Sequence, residues 1–565
     1  MTPITTILLI NAEPHDIQKN IYIHPSIYNA QKFEVNGFDY VEILDTTLRD
    51  GAQTRGITFT LRDKFNIVNM LDELGVDIIE AGWPGSNPKD EEFFKFVKEI
   101  SLKNSKIAAF SSTKRKDIKV NDDPSLNAIL KADVEIAVIF GKSWILHVKE
   151  VLKCTPEENI QLITDTIDYL REHGLDVIFD AEHFYDGFKD NKDYAIEVVK
   201  AALDSKARTI VLCDTNGGSL FNDVKSITTY VRNIVGCQPG VHTHNDSGLA
   251  VANTLIAVES GVRHVQGTIN GLGERCGNAD LCQIIPNLKL KMGYDVLKNK
   301  EGLKMLTKVS RYVYEVTGMP EILGQPYTGR NAFAHKAGVH VDAVLKNPRS
   351  YEHVEPTLVG NSRIVSVSEL SGRSVLVNMA KELGLELSKQ DMARCLEEVK
   401  RLEAEGYHLE LADATVKLLM LKSLGIDPTC FKVTFWWVET SKSKDGPVSR
   451  AIVSVDIGGN VIAAIGEGVG PVHALDVALK EALSSKFPEL KDTKLVNYKV
   501  SVVDSEDGTA ASVRVFVEFM CKDASWTTTY VSKNILEASL NAIVDGYVYK
   551  LGVLERRSSS SKTQC

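Results

Sequence analysis

The chain has 565 residues, 44% of them hydrophobic, and a formal net charge of −10. That length exceeds one ordinary domain and can bury several cores, so a large domain joined to smaller ones is expected. The acidic balance argues against nucleic acid or a membrane surface as partner, and no apolar run reaches the roughly 18 residues a bilayer span needs. Nine cysteines without a CxxC pair suit a reducing compartment, with the cytoplasm as the default.

Residues 1–38 hold the short apolar run "ITTILLI" but neither a basic leader nor any arginine, unlike a signal or transit peptide. They are read as an N-terminal extension. From 39 to 300, eight β-rich runs alternate with helical stretches: "VEILD", "VDIIEAG", "KIAAF", "VEIAVIF", "LDVIFD", "RTIVLCD", "GVHTHN" and "VRHVQG". The intervening segments, such as "LRDKFNIVNMLDELG", repeat their apolar residues at helical spacing and end in glycine. Eight βα units of this size read as a (β/α)8 TIM barrel, an α/β fold, with a doubly wound open sheet as the alternative.

Residues 301–428 read as mostly helical subdomains around the polar loop "QPYTGRNAFAHKAGVHVDAVLKNPRSYEHVEP". From 429 to 551 the texture becomes β-rich. "KVTFWWVET", "RAIVSVDI", "NVIAAIGEG" and a helix are followed by "LVNYKVSVVD", "ASVRVFVEFM", "SWTTTYV" and a second helix. Two βββα repeats in tandem predict one α+β domain. The Ser-rich residues 552–565 read as a disordered tail.

In such a barrel the chemistry lies at the C-terminal ends of the strands. The residues there are polar: Asp45, Arg49, Asp50 and Gln53 after the first strand, Glu80 after the second, Asp180 and Glu182 after the fifth, Asp214, Thr215 and Asn216 after the sixth. "VHTHND" puts His242 and His244 two apart on a strand, hence on one face. Two packing histidines are the bland reading of that pair. With Asp50, adjacent across the closed barrel, they make a two-His-one-carboxylate set for a divalent metal, open to water and substrate. Arg49 supplies fixed positive charge for a carboxylate or a developing oxyanion. Asn278, in the Gly-rich "GTINGLGERCGNADL", can reach the metal or its water.

"DTTLRDGAQ", "DAEHFYDG", "LCDTNGG", "HTHNDSG", "GTINGLGERCGNADL" and "FAHKAGVHVDAVLKNPRSYEHVEP" together resemble the metal-dependent α-isopropylmalate synthase and homocitrate synthase family. The resemblance runs in order from about Tyr40 to Leu551. It implies an acyltransferase that joins acetyl-CoA to a 2-oxo acid, such as pyruvate or 2-oxoisovalerate, in a Claisen condensation and then hydrolyses the thioester. It also implies Asp50, His242 and His244 as ligands of Mn, Mg, Co or Zn with Asn278 at their border. Arg49, Gln53, Glu80 and Thr215 would hold the oxo acid, and Glu182 would stand near the acetyl group. His340 and Tyr351 match a His and a Tyr that the family brings from the linker region of a partner subunit in a homodimer. His340 is assigned as base, with His335 as rival. The C-terminal domain resembles the family's dimerising regulatory domain, which implies isoleucine or leucine as effector in branched-chain amino-acid synthesis. Acyl-CoA lyases of similar barrels and a catalytically dead amino-acid sensor are the competing readings. The linker motif and the C-terminal repeat argue against the first, and the intact Arg49, Asp50, His242 and His244 against the second.

Overall fold

A computed structural model describes residues 40–97, 100–336, 338–365, 373–443, 446–504, 507–521 and 524–555. The expected N-terminal extension and residues 556–565 of the tail lie outside them. The chain folds as two compact units, one holding residues up to Ala332 together with Val354–Ser362, the other Phe333–His353 and everything from Arg363 on.

The first unit is a closed parallel barrel of eight strands: β1 (Glu42–Asp45), β2 (Ile78–Glu80), β3 (Lys106–Ser112), β4 (Ile136–Lys142), β5 (Asp176–Glu182), β6 (Thr209–Asp214), β7 (Gly240–Thr243) and β8 (His264–Gly267). The eight apolar runs of the sequence are these strands. β1 closes the barrel on β8, from Glu42 opposite His264 to Asp45 opposite Gly267. Leu44, Ile78, Ala108, Phe110, Ile136, Val138, Ile178 and Val211 fill the interior, which explains why the strands read as continuous apolar runs instead of alternating ones. The helix Leu61–Leu74 shows how local sequence sets the connections. Thr60 and Asp63 form a capping box at its start, and Gly75 ends it at φ 91. A Cβ on Gly75 would lie 2.5 Å from the backbone nitrogen of Asn299, so only glycine makes that turn.

The second unit opens with a short parallel pair, β9 (Ala334–His335) and β10 (Ile364–Val365), and with helices that include Gly338–Lys346, Lys389–Ala404 and Asp413–Ser423. Two antiparallel sheets follow. One is β11 (Lys432–Ser443), β12 (Gly446–Ile457) and β13 (Asn460–Gly468), the other β14 (Lys494–Val502), β15 (Val513–Cys521) and β16 (Ala524–Ser532). Each is followed by one helix, Pro471–Ser484 or Ile535–Tyr549. Val453, Leu475 and Leu479 from the first half share one apolar core with Val517, Phe519 and Trp526 from the second, so the two βββα repeats form one domain. The last helical turn, Lys550–Leu554, buries Leu551, Gly552 and Val553. Residues 552–554, expected in the tail, are therefore held by packing.

Candidate functional site

The polar turn after β1 is built from its own side chains. The Asp45 carboxylate accepts from the Thr47 N–H and hydroxyl, both at 2.9 Å. The Thr46 carbonyl accepts from the backbone N–H groups of Arg49 and Gly51. This tight turn brings Arg49 and Asp50 together, with Nη1 of Arg49 2.9 Å from Oδ2 of Asp50. On a strand, adjacent side chains would face apart. Nε of Arg49 donates to Glu80 at 2.5 Å, Thr46 donates to the same Glu80 oxygen, and the guanidinium carbon lies 3.8 Å above the Phe110 ring. Glu80 is fully buried and does not line the cavity. The sequence reading puts Glu80 among the residues that would hold the oxo acid, and here its carboxylate pairs with Arg49.

From β7, His242 and His244 meet Asp50. Their Nε2 atoms are 3.2 Å apart and lie 3.6 and 3.9 Å from Asp50 Oδ2. Among the described residues these three form the one His, Cys, Asp and Glu group placed to hold a metal ion. Burial alone would raise the Asp50 carboxyl, but Arg49 and the two histidines hold it down at about 2. Burial brings His242 down to about 4 and lowers His244 as well. Near neutral pH the set is thus one carboxylate and two neutral imidazoles, the forms that ligate a cation. Asp50 Oδ1 and Asn278 Oδ1 are buried without a hydrogen-bond partner among the described residues. Orphaned acceptors of this kind are costly unless a ligand engages them, so the donor set fits a divalent metal.

Above these groups lies a cavity of about 220 Å³ lined by Arg49, Asp50, Gln53, Glu182, Thr215, His242 and His244, together with Trp83, Phe110, Phe140, Asp180, Cys213, Glu274 and Arg275. Seven of the residues expected from the sequence therefore share one wall-to-wall space. Thr215 Oγ1 accepts from the backbone N–H of His183 at 2.8 Å, and His183 itself sits in the left-handed region at φ 55. Glu182 is paired with the Lys142 ammonium. Asn278 Nδ2 donates to the Leu272 carbonyl at 3.0 Å, and an isolated bridge pairs it with His244. The sequence reading missed the aromatic wall. Phe110 stacks on Phe140 with ring centroids 5.3 Å apart, and Trp83 meets both edge-on at 5.4 and 5.9 Å.

His340 and Tyr351 belong to the second unit, where their rings lie 4.3 Å apart and both side chains are exposed. His335, the rival base, is engaged with Glu352 at 3.2 Å, and Arg363 donates to the same carboxylate at 2.6 Å. That makes His335 part of the loop's own framework.

Residues 40–313 match a family model described as HMGL-like, 327–407 one described as homocitrate synthase post-HMGL domain-like, and 410–551 one described as LeuA allosteric (dimerisation) domain. The chain is 50% identical over 513 residues to an (R)-citramalate synthase of Sulfolobus acidocaldarius, covering 90% of this chain and 97% of that one. An (R)-citramalate synthase of Aquifex aeolicus is 46% identical, with 90% and 98% covered. A 2-isopropylmalate synthase of Methanocaldococcus jannaschii is 33% identical, with 90% and 94% covered.

Proposed function

Because the chain belongs to the citramalate synthases of the isopropylmalate and homocitrate synthase family, we propose that it condenses acetyl-CoA with pyruvate. Hydrolysis of the thioester then releases citramalate and CoA. The observation that carries this reading is that the Asp50, His242 and His244 trio and Arg49 line one small cavity together with three aromatic rings, Trp83, Phe110 and Phe140. A rigid ring wall favours an acceptor whose side chain is a methyl over one that carries an isopropyl group.

Asp50, His242 and His244 would hold a divalent cation, Mn, Mg, Co or Zn, with Asn278 at its border. A bound cation supplies Lewis acidity to the keto oxygen of the acceptor. Arg49, braced by Glu80 and Phe110, offers fixed positive charge where the alkoxide develops, without reorganising during the reaction. Thr215 already accepts the His183 N–H, so its own proton is available to the acceptor's carboxylate. Gln53 lines the rim beside them. Glu182, held by Lys142, stands where the acetyl group would enter. The methyl proton is removed by His340 of the partner subunit, with the partner subunit's Tyr351 against its ring. The assembly is a cytoplasmic homodimer, and its C-terminal domain takes isoleucine, or alternatively leucine, as effector.

The test is release of free thiol from acetyl-CoA against a panel of 2-oxo acids, with and without chelator. Pyruvate supports release, and chelator abolishes it. Release with 2-oxoisovalerate and none with pyruvate would overturn the assignment.

A further inference from the structure

His242 Nδ1 lies 2.8 Å from Gln266 Oε1, and Gln266 Nε2 donates to Asp180 Oδ1 at 2.9 Å. The three side chains rise from β7, β8 and β5 and are at most 5% exposed. Water therefore has little access to substitute for any member of this chain. The direction of each bond follows from chemistry. Reversing the Gln266 amide would set its carbonyl oxygen against the Asp180 oxygen. Arg49 and the Gln266 N–H favour the ionised form of the Asp180 carboxyl against burial, and in that form it has no proton to offer there. With the amide nitrogen turned to Asp180, the amide oxygen faces His242 and requires a proton on Nδ1. The lone pair of His242 is then on Nε2, the atom that faces Asp50 Oδ2 at 3.6 Å and His244 Nε2 at 3.2 Å.

We propose that Asp180 and Gln266 are positioning residues that fix His242 in the tautomer whose Nε2 ligates the cation. Gln266 acts on the ring directly, and Asp180 acts one step removed by holding the amide's orientation. The inference rests on reading Asp50, His242 and His244 as metal ligands. It also separates the two histidines. His244 Nδ1 has no hydrogen-bond partner among the described residues, so the protein pre-sets one imidazole and leaves the other to be set by what it binds. Outer groups that orient a ligating histidine commonly contribute as much as part of the ligand set itself.

The experiment titrates metal-stripped full-length protein with Mn²⁺ or Co²⁺ by calorimetry, with far-UV circular dichroism as a check on folding. Gln266→Met preserves volume and removes both hydrogen bonds, so the dissociation constant rises by about 10–100-fold. Gln266→Glu keeps an acceptor for the Nδ1 proton and shares a proton with Asp180, so its affinity stays close to that of the unaltered protein. Asp180→Asn allows the amide to turn either way and gives an intermediate loss. In Gln266→Met the metal concentration for half-maximal turnover rises while kcat at saturating metal recovers, which a merely structural role would not produce. Tight binding by Gln266→Met, or equal losses in the Met and Glu variants, overturns the proposal while leaving the ligand assignment intact. Absence of a cation site in the unaltered protein overturns the ligand assignment and the proposal together.

Discussion

The two units bury different things. At the mouth of the barrel Asp45, Asp50, Glu80, Asp180, His242, His244 and Asn278 are all buried, and burial drives Asp45 up to about 7 and Asp180 to about 8. In the second unit the largest core cluster is made of apolar side chains from two sheets and the helices packed on them. Its buried polar groups are spent on the fold itself: Thr528 on the Ala542 carbonyl, Thr529 on Val515, the Trp526 indole on Gly546. Desolvated charge is costly, and it is concentrated where it can be used on a substrate. The two C-terminal sheets are built for cohesion.

That contrast can be broken or sharpened by substitution, beginning with the largest effect. His242→Ala should lower turnover by about 10³-fold, the several kcal/mol a lost Lewis-acid site costs, with the metal-free fold unchanged by circular dichroism. Leu475→Ala, in the core of the second unit, should cost about 2–5 kcal/mol in urea unfolding and leave thiol release by the folded protein near its original rate. A matching fall in kcat would show the core of the C-terminal sheets to be coupled to the chemistry. Arg49→Lys should reduce kcat/KM by about 10²-fold, because an ammonium cannot keep the forked contacts to Glu80 and Asp50. Phe110→Ala opens the ring wall and should shift the ratio of kcat/KM for 2-oxoisovalerate over pyruvate by about 10–200-fold. The smallest effect is the same in both units: Thr60→Ala and Ser388→Ala each remove one capping box and should cost about 1 kcal/mol of stability without altering turnover.

The barrel was legible because parallel strands buried on both faces leave uninterrupted apolar runs, and the C-terminal repeat because two sheets copy one order of elements. The polar turn after β1 was legible for the opposite reason. Arg49, Asp50 and Gln53 make no sense as a plain connection. The aromatic wall was not legible, since Trp83, Phe110 and Phe140 come from three different βα units with no shared spacing, and each passes for core by itself. Gln266 in "HVQG" carried a faint signal, an amide inside an otherwise apolar strand, but its two partners lie 24 and 86 residues away. The contact of Glu80 with Arg49 was not legible, because a carboxylate at a strand end looks the same whether it meets a substrate or braces an arginine beneath it.

The seam between β1 and β8, closed by four residue pairs, gives the proposed metal site a further meaning. Asp50 follows β1, whereas His242 lies on β7, His244 just after it and Asn278 after β8, so the proposed ligand set spans the place where the ends of the barrel's chain meet. A cation bound there would act as a clasp. It has no complete site on a growing polypeptide until the last strand has been made and laid against the first. From then on, anything that pries the seam apart must also give up the ion, so the barrel's resistance to opening rises with the free metal concentration around it.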